Sequence, residues 1–198
     1  MITPLAAVPA SFHSIGAPQL DQHAGDILSV TAGPQTDWFV DPGSGEVTGN
    51  APALVAPIPG DFTLSARIEV DFAATYDAGS LVVWAGPTRW GKLAFERSPQ
   101  GEHMVVSVVT RGESDDCNSV VIDDRSVWLR MARLGDAYAF HYSTDGEYWR
   151  LVRHFRLGGS PLPDVGFEAQ SPTGDGCAAR FAAIAYSPRT LPDLRSGV

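Results

Sequence analysis

Lysine is almost absent from this chain. Of the 14 basic residues among 198, Lys92 is the single lysine and the other 13 are arginines. A genome rich in G and C favours arginine codons and would leave such a remnant by chance. The alternative is that a mid-strand position needs a compact, flexible ammonium that a planar guanidinium cannot imitate. Cysteine is scarce too. Cys117 and Cys177 are too few for a disulfide framework, and residues 1–16 lack a positively charged stretch leading into an apolar one, so no signal peptide is read. The expectation is a cytoplasmic protein with both thiols reduced, a single bridge between them being left open.

Long apolar runs and helical periodicity are missing as well. No stretch approaches the ~18 apolar residues of a membrane span. A net charge of −9 argues against nucleic acid and anionic membranes, both of which select basic surfaces. The five histidines (His13, His23, His103, His141 and His154) show no metal-ligand spacing, and none flanks a cysteine. No metal and no cofactor is expected. Ser114-Asp-Asp-Cys-Asn gathers oxygen ligands in what reads as a polar loop, but without the alternate spacing and terminal glutamate of an EF-hand loop. Asp115 and Asn118 therefore read as turn caps or as the rim of a site.

What the chain has in quantity is turns and strands. Gly 20 and Pro 15 imply many reversals. Phe62, Leu64, Ala66, Ile68, Val70 and Phe72 alternate with Thr63, Ser65, Arg67, Glu69 and Asp71, which predicts a strand with one buried and one wet face. Similar segments recur about every ten residues, through Ser80–Ala85, Arg89–Arg97, His103–Arg111, Val127–Arg133, Ala137–Ser143, Val165–Gln170 and Cys177–Tyr186, giving roughly twelve to fourteen strands in all. The fold class read from this is all-β: a two-sheet antiparallel β-sandwich of the jelly-roll kind over residues 27–187. Residues 1–26, rich in Pro, Ala and His, read as a partly ordered arm, and residues 188–198 as a tail. Exposed sheet edges leave a homodimer open.

Several strings are specific as a set: Thr36-Asp-Trp-Phe, Gly60-Asp-Phe-Thr-Leu, Tyr76-Asp-Ala-Gly, Trp90-Gly-Lys-Leu-Ala-Phe-Glu, Ser107-Val-Val-Thr, Ser114-Asp-Asp-Cys-Asn, Trp128-Leu-Arg-Met, Ser143-Thr-Asp-Gly and Val165-Gly-Phe-Glu-Ala-Gln-Ser-Pro. In these, over about residues 27–187, the chain resembles the family of small proteins of unknown function that includes the yeast regulation-of-enolase protein. That family lies in the concanavalin A-like lectin and glucanase superfamily. The resemblance implies a concanavalin A-like jelly roll whose concave sheet often meets carbohydrate. It implies no established activity.

The residues themselves supply a candidate site. Along Trp90-Gly-Lys-Leu-Ala-Phe-Glu the strand period puts Trp90, Lys92 and Glu96 on one face and Leu93 and Phe95 on the other. Glu168 and Gln170 share a face of their own strand. A sugar site needs an aromatic platform, for which Trp84 and Trp90 are the candidates, and polar groups for the hydroxyls. Lys92, Glu96, Ser107, Thr110, His141 and Gln170 are expected to supply these, with Asp115 and Asn118 at the rim. The competing account is a structural Lys92–Glu96 salt bridge with both tryptophans in the core. Hydrolysis would need two suitably spaced carboxylates, and Glu96 with Glu168 is the one attractive pair. The Glu-x-Asp-x-x-Glu arrangement usual in the superfamily's glucanases is absent. The first reading is thus a non-catalytic protein for a small saccharide or oligosaccharide. A saccharide-active enzyme using Glu96 and Glu168, and an interaction protein regulating a metabolic enzyme, are the alternatives.

Overall fold

A computed structural model describes residues 3–23, 27–159 and 161–198. In chain order the strands are β1 (Thr3–Leu5), β2 (Val8–Ile15), β3 (Gln19–His23), β4 (Ile27–Ala32), β5 (Trp38–Val40), β6 (Val47–Gly49), β7 (Ala53–Ala56), β8 (Phe62–Val70) and β9 (Ala78–Trp84). There follow β10 (Arg89–Arg97), β11 (His103–Arg111), β12 (Glu113–Val121), β13 (Ser126–Leu134), β14 (Ala137–Ser143), β15 (Arg150–Arg156), β16 (Asp164–Gln170) and β17 (Cys177–Ser187). Among the described residues there is no helix, and none therefore is long and apolar enough to cross a membrane.

The strands form two antiparallel sheets. The first runs β1-β2-β7-β16-β9-β10-β11-β12 and the second β15-β14-β13-β8-β17-β4-β3, with β5 and β6 as a separate hairpin. The expected all-β sandwich is what the chain forms. Alternation places the core: Phe62, Leu64, Ala66 and Ile68 of β8 are fully buried against Leu81, Leu93, Phe95 and Phe167 of the facing sheet.

A second apolar layer lies outside the first sheet. Residues 33–52, carrying β5 and β6, fold back over it, and Trp38 packs with Ala53, Val55, Ala78, Val82, Trp90, Ala94, Val106 and Val108. This cover explains why β9, β10 and β11 read as nearly continuous apolar runs: both of their faces are buried.

Three expectations from sequence need correction. The segment read as an arm forms β1 and β2 in the first sheet and β3 in the second, with Phe12 fully buried; residues 1–2 and 24–26 of that segment lie outside the described residues. The polar run 113–118 is not a loop but belongs to β12, an edge strand, where a polar sequence discourages further pairing. The tail lies on the outer face of the second sheet, where Leu194 packs on Ala132 and Ala139 and the Gly197 carbonyl accepts a hydrogen bond from Arg130 Nη2 at 2.7 Å.

Gly166 of β16 is a place where the sandwich tolerates no side chain. A Cβ there would run into the Leu54 carbonyl oxygen and Val55 Cα of β7. Gly166→Ala is expected to cost about 3 kcal/mol in urea unfolding, at the upper end of overpacking penalties. Gly49→Ala, where a Cβ meets nothing within 4 Å, is the control and should be close to neutral.

Candidate functional site

Cross-strand register fixes which side chains share the covered outer face of the first sheet. Lys92 pairs with Val82, which pairs with Gly166; Ala94 with Ser80 and then Glu168; Glu96 with Ala78 and then Gln170. On the other side of β10, Lys92 faces Val108 and then Asp116, while Glu96 faces Met104. Lys92, Glu96, Glu168 and Gln170 therefore stand on one face, and the small residues Ala78, Ser80 and Ala94 between them leave room for long side chains to lie along the sheet.

Lys92 is 2% exposed and its ammonium has three partners: Asp37 Oδ1 at 2.9 Å, the Trp38 carbonyl at 2.9 Å and Gln170 Oε1 at 2.5 Å. An ammonium has three N–H donors, so none is left over. Burial alone pushes the Lys92 pKa down, but the carboxylates of Asp37, Glu168 and Glu96 outweigh it and hold the ammonium above the ordinary lysine value. Asp37 Oδ1 also accepts from the Trp38 N–H at 2.7 Å, and the Asp37 N–H donates to Asn50 Oδ1 at 2.9 Å, closing the covering segment on itself. Gln170 Nε2 donates to the Tyr76 carbonyl at 3.1 Å. Tyr76 itself has φ +68, a left-handed conformation unusual for an aromatic residue.

Beside this tether lies a cavity of about 260 Å³ lined by Asp37, Phe39, Tyr76, Lys92, Glu96, Val106, Val108, Asp116 and Gln170. Its floor is Val106 and Val108 of β11, with Glu96 on one flank and Asp116 on the other. Burial pushes Glu96 up to about 8; Lys92 opposes the rise, and Asp37, Glu168 and Asp116 add to it. Glu168, fully buried, is pushed up to about 7 by burial, with Lys92 and the neighbouring Ser80 hydroxyl opposing. Neither Glu168 oxygen nor Ser80 Oγ has a hydrogen-bond partner of normal geometry among the described residues.

The candidates named from sequence thus separate. Lys92, Glu96 and Gln170 come together at the cavity. Glu168 shares their face but does not line the cavity, so Glu96 and Glu168 are not a pair presented to one substrate. The tryptophans are not a platform: Trp90 is 1% exposed and Trp84 is covered by Trp38, their ring centroids 4.3 Å apart. Ser107 pairs with Leu93 and so points between the sheets, and Thr110 Oγ1 is taken up by Ser114 Oγ at 2.8 Å, itself the acceptor for the Val40 N–H. Asp115 faces the other way and pairs with Arg153 at 2.9 Å, while Asn118 is exposed and outside the cavity. His141 lies on the second sheet beneath the C-terminal segment, Nε2 at 2.6 Å from the Leu194 carbonyl oxygen, and burial there pushes it down to about 4. Cys117 and Cys177 are both free.

Sequence reasoning missed Asp37, Phe39, Tyr76 and Asp116. The strings Thr36-Asp-Trp-Phe and Tyr76-Asp-Ala-Gly held three of them, but nothing local says that they fold over Lys92.

The profile of a family described as "Protein of unknown function (DUF1349)" matches residues 16–189. No curated protein matches the sequence. Among solved structures, a functionally unknown protein from Saccharomyces cerevisiae is similar with a TM-score of 0.82 and 24% identity, over 93% of this chain and 98% of that one. The GH43 protein BlXynB from Bacillus licheniformis is similar with a TM-score of 0.66 and 14% identity, over 82% of this chain and 33% of that one. A xylan beta-1,4-xylosidase from Bacillus halodurans C-125 is similar with a TM-score of 0.64 and 12% identity, over 82% of this chain and 33% of that one. The chain spans about a third of the length of those two Bacillus structures, and at such identities the likeness is one of fold.

Two outcomes follow from the buried charges. Lys92→Met removes one partner of a buried ion pair and is expected to cost about 3–5 kcal/mol in urea unfolding, with Lys92→Arg no substitute because a planar fork cannot meet the same three acceptors. Adding Asp37→Asn to Lys92→Met should recover part of the loss; simple additivity of the two changes would show that the pair is not coupled. The acids set a pH dependence. Glu96 and Glu168 bind protons more tightly folded than unfolded, so their contribution is fully present below the ordinary carboxyl value near 4.5 and is lost as pH rises through about 7 and about 8. Glu168→Gln should accordingly raise the melting temperature relative to the parent at pH 8.5 (~4 pH units above that ordinary value) by several degrees and by much less near pH 5.

Proposed function

The chain belongs to that family of unknown function, and we propose that it is a binding protein for a small saccharide, held in the cavity over the first sheet. The observation that carries this reading is the lining itself. Glu96, Asp116, Asp37 and Gln170 offer planar polar groups to hydroxyls, while Phe39, Tyr76, Val106 and Val108 offer apolar surface to the C–H faces of a ring. The size is that of one sugar ring: about 260 Å³ falls just below the ~300–1,000 Å³ of typical small-molecule sites. An extended glycan would have to leave most of its length outside.

Binding is favoured over hydrolysis by the position of Glu168. Glycoside hydrolysis works with two carboxyl groups on either side of one glycosidic bond, and here the partner envisaged for Glu96 is fully buried and outside the cavity lining. The fold is in keeping with a saccharide ligand, since one solved protein that shares it is a GH43 protein and another is named as a xylan beta-1,4-xylosidase.

Thermal-shift measurements against a panel of monosaccharides test the proposal, because a ligand that binds only the folded state raises the melting temperature by mass action. At least one monosaccharide at millimolar concentration should raise it in the parent protein. Glu96→Gln and Asp116→Ala should weaken that shift at least about tenfold in ligand concentration, which corresponds to ~1.4 kcal/mol. No shift with any sugar would overturn the saccharide reading and turn attention to a protein partner.

A further inference from the structure

The hydrogen-bonding capacity of the cavity is lopsided. Its one cation among the described residues, Lys92, has all three donors engaged by Asp37, the Trp38 carbonyl and Gln170. Gln170 commits one of its two amide N–H groups to the Tyr76 carbonyl. What remains on the donor side is the second Gln170 N–H, the Tyr76 hydroxyl and, below its raised value of about 8, the proton of the Glu96 carboxyl. On the acceptor side, among the described residues, the Glu96 and Asp116 side chains have no hydrogen bond or ion pair, and Asp37 Oδ2 has none. Three carboxyl groups therefore line a small cavity whose only ammonium is already neutralised.

A neutral sugar uses such a lining poorly. Each hydroxyl both donates and accepts, and a wall with more acceptor than donor sites leaves part of that capacity unmet. A protonated amine uses it well: three donors, no acceptor, and a charge opposite to that of the walls. The aromatic residues agree, because Phe39 and Tyr76 line the same space and the faces of aromatic rings attract cations. A bare metal ion fits less well. Among the described residues no three His, Cys, Asp or Glu side chains are grouped to hold one, and Glu96 and Asp116 are held apart by the valines of β11. The space over Val106 and Val108 suits a body of several carbon atoms bearing the charge.

We infer that the ligand of this cavity is a saccharide bearing a protonated primary amine, of the amino-sugar class, with its ring over Val106 and Val108, its ammonium at the Glu96 flank and its hydroxyls toward Asp116. The inference rests on the saccharide reading above and narrows it. The raised Glu96 pKa belongs with it. The groups acting on Glu96 are Lys92 on its own strand, Asp37 on the covering segment, Glu168 on β16 and Asp116 on β12. A cation arriving among them adds an attraction that favours the ionised acid, so Glu96 should lose its proton as the amine binds.

The test is isothermal titration of the parent protein at pH 6.5 and low salt with three probes: glucosamine, glucose and N-acetylglucosamine, which carry respectively an ammonium, a hydroxyl and a neutral amide at the same carbon. The pH lies below the raised value of about 8 for Glu96. Glucosamine should bind at least about tenfold more tightly than either neutral sugar, a margin that shrinks as salt is added. Repeating the titration in buffers of different ionisation enthalpy should reveal release of up to about one proton, lost in Glu96→Gln. Asp116→Asn, at an exposed edge-strand position, should weaken glucosamine and leave the proton release in place. If glucose or N-acetylglucosamine binds as tightly as glucosamine, the amine inference is overturned and the saccharide reading stands. If none of the three binds while another neutral sugar raises the melting temperature, the inference again fails alone. If no sugar of any kind binds, both fail together.

Discussion

One ammonium holds the outer face of this sandwich together. Lys92 reaches from β10 to a carboxylate and a carbonyl of the covering segment and to an amide on β16, partners that lie 54 to 78 residues from it in sequence. Without it the segment from 33 to 52 would still pack through Trp38, but its polar edge would face a buried sheet surface with acceptors and no donor. The charge is tolerable there because every N–H is met and because the acids around it outnumber it. The same arrangement consumes the lysine. A residue so placed shapes the cavity without having a hand free for what enters it.

That outcome reverses the role first read for Lys92 while keeping its importance. Its rarity in an arginine-rich chain and its phase with Glu96 were visible in a single heptapeptide. Gln170 was legible in the same way, from the alternation of Val165-Gly-Phe-Glu-Ala-Gln. Period-two patterning reports which side chains share a face, and for β10 and β16 it reported correctly. It is blind to what covers that face. Trp84 and Trp90 looked like an open platform because nothing near them in sequence announces Trp38.

The misplacements elsewhere have equally local causes. Ser107 sits in a run of valines that is apolar in both phases, so its face is set by the register of β10 with β11 and not by its own pattern. Asp115 and Asp116 are adjacent acids of one edge strand, and only the pairing of Val108 with Asp116 decides which of them meets the cavity. His141 alternates properly with Tyr138, Phe140 and Tyr142, but on the sheet remote from the site, beneath a C-terminal segment whose docking depends on Leu194 and Gly197. The opening strands were obscured by their brevity and their prolines, although Val8, Ala10 and Phe12 do alternate.

The left-handed backbone at Tyr76 places two demands on one residue. Glycine or asparagine would occupy that conformation with less strain, by the ~1 kcal/mol or more that such a geometry costs a residue with a bulky side chain. Tyrosine is nevertheless the residue present, its carbonyl turned to Gln170 and the residue forming part of the cavity wall. Improving the chain for thermal endurance alone would begin by discarding this side chain. Position 76 is therefore where robustness and recognition pull in opposite directions, and a variant optimised only for the first would keep the sandwich and give up a wall of its chamber.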